Sequence, residues 1–124
     1  MFETHLYNYL SQAGTSASAR VYPRRLPQGV TLPAITYALV SSGIEYQSAG
    51  QSSLETPRYQ LDCWGATYLA AKTLAEELKA RLSGFRGQMG TKTVTAAFIE
   101  GEREDDDPET QRECVSLDVI IHHQ

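Results

Sequence analysis

The residues best able to do chemistry lie in one acidic run. Glu100, Glu102, Glu104, Asp105, Asp106, Asp107 and Glu109 place seven carboxylates in ten residues, with Arg103 the only cation among them. Hard divalent cations want several oxygens, so a cation site is the sharp reading of such a run. The spacing argues against it. The run has neither a glycine turn at its middle nor a glutamate at the distance a calcium loop needs. Runs of like charge repel one another and are ordinarily solvated. Residues 101–110 therefore read as an acidic, solvated loop, with Pro108 turning the chain back.

The other candidates are sparser. His5, His122 and His123 are the only histidines. His122 and His123 alternate across a strand pattern and cannot easily share a metal. They read as surface or rim residues, with His123 frayed. Asp62 and Asp118 sit mid-strand, where a carboxylate pair could do acid/base work. Alternation points Asp62 away from Leu61, towards solvent or an interface. Cys63 and Cys114 lie in apolar strand-like runs and read as small buried hydrophobes. A disulfide between them is conceivable only if their strands are neighbours. Trp64 has two open readings, a helix-packing core residue or an interface anchor. Arg20, Arg24 and Arg25 form the one basic cluster and flank prolines. The chain has no GxxxxGK[ST], GxGxxG, HExxH, CxxC or GxSxG pattern. No catalytic centre, metal or cofactor is expected, and the protein reads as a structural part.

The bulk numbers exclude other classes. The 124 residues carry a formal net charge of −4. A protein whose main affinity is for nucleic acid needs a basic surface to displace counterions. No apolar run approaches the roughly 20 residues that span a bilayer. The opening MFETHLYNYL lacks the basic region and apolar core of a signal peptide, so a reducing cytosol is expected. One domain over 1–124 is expected from length.

Certain elements must position these residues. Phe2, Leu6, Tyr9, Leu10 and Ala13 share one helical face, and Gly14 suits a left-handed end. Residues 20–22 read as a short strand, and AITYALVS over 34–41 as a longer one with two apolar faces. QSAGQSSLET over 47–56 reads as a mobile loop or hairpin tip. In PRYQLDCW over 57–64, Tyr59, Leu61 and Cys63 line one face. A helix over 66–83 carries Tyr68, Ala71, Leu74, Ala75, Leu78 and Leu82 as its stripe. Strands over 92–100 and 112–122 follow. The order is α-β-β-β-α-β-β, which predicts an α+β fold: a mainly antiparallel sheet with two helices on one face.

Taken together, LYNYLSQAG, the VYPRRLPQGVTLPAITYALVSS run, RYQLDCWGATYLAAKTLAEELKARLSGFRG and DDDPET followed by CVSLDVIIHH resemble the tail-completion, or tail-terminator, family of long-tailed bacteriophages and prophages. The match is tightest at residues 59–64 and at Thr67 and Tyr68. The resemblance implies a non-enzymatic subunit that caps the head-proximal end of the tail tube, stops its polymerisation and joins it to the head. It also implies a homo-hexameric ring. The partners implied are the tail tube protein and a head–tail connector protein, with DNA passing through unbound and no membrane. The implied location is host cytoplasm during assembly and then the virion. Arg24, Arg25, Trp64, Glu102, Glu104, Asp105, Asp106 and Asp107 are the candidate interface or lumen residues. Alternative readings are a neck or head-closure component, an acidic-loop metal-dependent enzyme, or a binding module.

Overall fold

A computed structural model of the chain describes residues 2–42, 44–47, 50–109 and 111–123; for 44–47, 50–55 and 107 it describes the backbone alone. The element order is α1 (Phe2–Ser11), β1 (Val21–Pro23), β2 (Ala34–Ser41), β3 (Ile44–Gln47), β4 (Gly50–Glu55), β5 (Arg58–Gly65), α2 (Tyr68–Leu82), β6 (Gly87–Met89), β7 (Lys92–Asp107) and β8 (Arg112–His123).

The fold is α+β, with one sheet and both helices on the same face of it. Strands run β1-β2-β5-β8-β7 across the sheet, with β6 outside β7. The pairings are antiparallel except β1 with β2. The β3–β4 hairpin extends the sheet beyond β2 and β5, touching the end of β8 through Glu55 opposite His123.

β5 shows why the sequence folds this way. Its alternation buries Tyr59, Leu61 and Cys63 under the helices and leaves Gln60, Asp62 and Trp64 on the other face. β8 supplies Val115, Leu117, Val119 and Ile121 to the same buried layer. Helix α1 adds Phe2, Leu6 and Leu10, one turn apart, and α2 adds Ala71, Leu74, Ala75, Leu78 and Leu82. Thr67 caps α2: its Oγ1 accepts the N–H of Ala70 at 3.1 Å. Gly65 has to be glycine, since a Cβ there would lie 2.5 Å from the Ala71 nitrogen. Arg81 ties the helices together, donating from Nε to the Ala13 carbonyl at 2.5 Å while its own carbonyl accepts Tyr9 Oη–H at 3.1 Å.

Four expectations change. Three strands join the expected order: β3 and β4 fill most of the 47–56 stretch as a hairpin, and β6 pairs with the start of β7. Residues 48 and 49 of that stretch lie outside the described residues. The acidic segment is not a loop, because β7 continues through Asp107 in register with β8. Tyr68 leaves the buried stripe and is 50% exposed. His123 is not frayed but 1% exposed, because its ring lies under Phe2.

Candidate assembly surface

The face of the sheet opposite the helices carries a polar network centred on Asp62. Its carboxylate accepts Ser116 Oγ–H at 2.6 Å and Gln60 Nε2–H at 2.9 Å. Trp64 Nε1–H donates to Thr36 Oγ1 at 3.0 Å. Trp64 thus lies half-buried on the outer face, away from the helices, which decides against a helix-packing role. A recess of about 180 Å³ opens there, lined by Gln60, Asp62, Trp64, Asp105, Asp106, Cys114 and Ser116. Asp118 does not join Asp62. It accepts Arg103 Nη1–H at 2.6 Å, so each carboxylate is held by its own donors. Further along this face Val40 and Phe98 are about half exposed, at 54% and 50%.

The acidic strand divides by alternation. Glu102 and Glu104 turn towards α2. Glu102 pairs with Lys72 and with Lys79, the latter at 2.7 Å, and Glu104 pairs with Lys72 at 3.1 Å. Tyr68 Oη–H donates to Glu104 at 2.7 Å. The lysine donors hold Glu102 below the usual carboxylate range, and Tyr68 and then Lys72 do the same for Glu104. The same bonds push Lys72 and Lys79 up. Two lysines seven residues apart lie two turns apart on one side of a helix, and that side meets the strand. Asp105 and Asp106 are exposed and enter no ion pair among the described residues. The side chain of Asp107 lies outside the described residues. Among the described residues no three His, Cys, Asp or Glu side chains gather as a metal site would require, and no helix is long and apolar enough to cross a membrane.

The basic cluster also divides. Arg20 is spent inside the chain, donating to the carbonyls of Pro33 at 2.9 Å and Ser16 at 3.1 Å. Arg24 and Arg25 are exposed just beyond β1. Arg24 has φ +69°, and its N–H donates to the Tyr37 carbonyl at 2.8 Å. Beside it a groove of about 490 Å³ runs between Glu3, Pro23, Arg24, Tyr37, Ala38 and Leu39.

The thiols stand back to back. Cys63 is buried under the helices, while Cys114 lies on the outer face near Ser116, and both are free. Burial pushes the Cys63 thiol well up and Cys114 to about 12, so neither is poised as a nucleophile.

A family model described as Tail completion protein gp17 matches residues 6–124. The chain belongs to that family. Membership makes it a structural protein of a phage-like tail. A solved structure titled "Virion of native gene transfer agent (GTA) particle" contains a similar chain, with TM-score 0.62, 12% identity, 96% of this chain covered and 92% of that one. At that identity the likeness shows the fold. No curated protein matches the chain.

Sequence reasoning located the acidic run and the arginines but missed what they meet. From sequence, Lys72 and Lys79 read as helix residues off the buried stripe, and Tyr68 reads as part of that stripe. Their signal was the spacing of 68, 72 and 79 on one side of α2, matching Glu102 and Glu104 two apart on a strand.

Proposed function

We propose that the chain, as one domain, caps the head-proximal end of a phage tail tube, ends its polymerisation and joins it to the head, acting as a subunit of a homo-hexameric ring. The observation that carries this is the family match across residues 6–124. The relative found in a virion supports the reading, since a fold of this kind serves there within a particle. The tail tube protein and a head–tail connector are the partners, met in the host cytoplasm and retained in the virion. The subunit performs no reaction. A closed ring is a set of heterologous contacts, and each subunit must offer two unlike surfaces. The exposed Arg24–Arg25 turn and the exposed Asp105 and Asp106 supply surfaces of opposite sign. DNA passes without being held: a protein of net charge −4 offers little counterion release.

Loss of the gene tests this. The expected result is filled heads and tails that do not join, with tails of abnormal length in micrographs. Tails of normal length with leaking heads would assign the chain to the neck instead.

A further inference from the structure

The sheet ends in two unlike free edges. On one side β1 covers only the first part of β2: Ile35 N–H donates to the Arg20 carbonyl at 2.9 Å, and the Tyr37 carbonyl accepts Arg24 N–H at 2.8 Å. Backbone direction repeats every second residue along a strand. The N–H and C=O of Leu39 therefore point out of the same edge, past the end of β1 at Pro23. No described strand covers them, and β3, which continues the line of β2, pairs only with β4. On the far side β6 covers β7 only over Lys92–Val94, and Gly84 N–H takes the Ala97 carbonyl at 2.9 Å. From Phe98 to Asp107 no described strand lies outside β7.

An uncovered edge is a template for another strand. These two differ in charge. Arg24 and Arg25 flank the β2 edge. The β7 edge ends at Asp105 and Asp106, the acidic residues that Lys72 and Lys79 leave unneutralised. Within one copy they cannot meet. Four inter-strand steps separate β1 from β7, about 19 Å at the usual strand spacing, well beyond an arginine's reach.

We propose that the β2 edge of one copy receives the β7 edge of a second copy, so that the sheets join, with Arg24 and Arg25 facing Asp105 and Asp106 across the junction. This rests on the ring reading and names the surfaces that would form it. Main-chain bonds supply the joining, while the charges set polarity and register. The contact is heterologous, so it repeats from copy to copy.

The test is disulfide trapping between full-length chains. Arg25→Cys protein is mixed with Asp106→Cys protein at high concentration under mild oxidation. The expected result is a mixed dimer in severalfold excess over both homodimers. Leu39→Pro, placed in the Arg25→Cys chain, removes an N–H that points out of the sheet edge, where no described strand covers it, and should bring the mixed dimer down to background. Leu39→Ala should not. Far-UV circular dichroism checks that the proline variant folds. Should it not fold, the decisive set is Arg24→Glu in the Arg25→Cys chain against Asp105→Lys in the Asp106→Cys chain: each alone abolishes trapping, and the two together restore it. A statistical mixture of dimers, or no dimer, overturns the proposal. Electron microscopy of the same samples separates the two ideas. Closed rings indifferent to these variants overturn edge pairing alone, and mixed dimers that never close overturn the ring alone.

Discussion

The ring of His123, near the end of β8, lies flat on the ring of Phe2, with centroids 4.0 Å apart and planes 9° from parallel. This stack fastens the first helix to the last strand. Tyr59 lies 6.2 Å from the same Phe2 ring and closes the cluster.

His123→Ala should therefore loosen α1 before it harms the sheet. An aromatic pair contributes about 0.5–1.5 kcal/mol beyond its buried area. Urea unfolding should show at least that loss. Hydrogen exchange should rise first in Phe2–Ser11. Unchanged exchange there would show that the stack does not hold the helix.

Gly65→Ala tests the tight entry into α2. The new methyl would press on the Ala71 nitrogen at 2.5 Å and on the Thr67 carbonyl oxygen at 3.0 Å. Overpacking of this kind costs about 1–3 kcal/mol. A melting temperature equal to wild type would mean that the helix start can simply move aside.

Ser116→Ala tests the outer-face network. It removes the 2.6 Å bond to the Asp62 carboxylate in a half-buried setting. Bonds to charged groups contribute about 1.5–3 kcal/mol, and the lower figure is expected because solvent reaches this face. Chemical denaturation measures it, and a loss below about 0.5 kcal/mol would mean that water replaces the hydroxyl.

The α2–β7 ion pairs predict a pH dependence with a definite sign. Glu102 and Glu104 titrate lower in the folded chain, because of Lys72, Lys79 and Tyr68. Their contribution is present above the ordinary carboxylate value of about 4.3 and fades as pH falls through the depressed folded values. Lys72 and Lys79 titrate higher, so their contribution holds below about 10.4 and fades as pH rises through the raised values. The melting-temperature gap between wild type and Lys72→Met with Lys79→Met should be widest near neutrality. It should shrink in acid and in high salt, because these groups lie near the surface. A gap of the same size at pH 3 would exclude the ion pairs as its source.

Much of this molecule is legible in its sequence, for identifiable reasons. β5 alternates without a fault, and the buried stripe of α2 from Ala71 to Leu82 has helical spacing, so both announce themselves. β3, β4 and β6 are short, and GQSSLE and GQM lack the β-branched or aromatic residues that mark strands; only pairing makes them strands. The end of β7 reads as a loop for a physical reason. A run of like charges argues against a strand until lysines from another element approach, and those lysines lie 23 to 32 residues away in sequence. Tyr68 has the spacing of a core residue but ends its side chain on a carboxylate. His123 looks polar, yet a flat imidazole packs as an aromatic when a phenyl ring covers it.

The place of β8 governs when the chain can fold at all. It bonds to β5 along one side and to β7 along the other, yet it is translated after both. Until Arg112–His123 leaves the ribosome, β5 and β7 have no inner partner, and the buried layer beneath α2 lacks one wall. Pairing β5 with β8 joins residues 48 to 62 positions apart, the kind of non-local closure that makes folding slow. A nascent chain stopped before residue 112 should remain open to proteases and prone to aggregate.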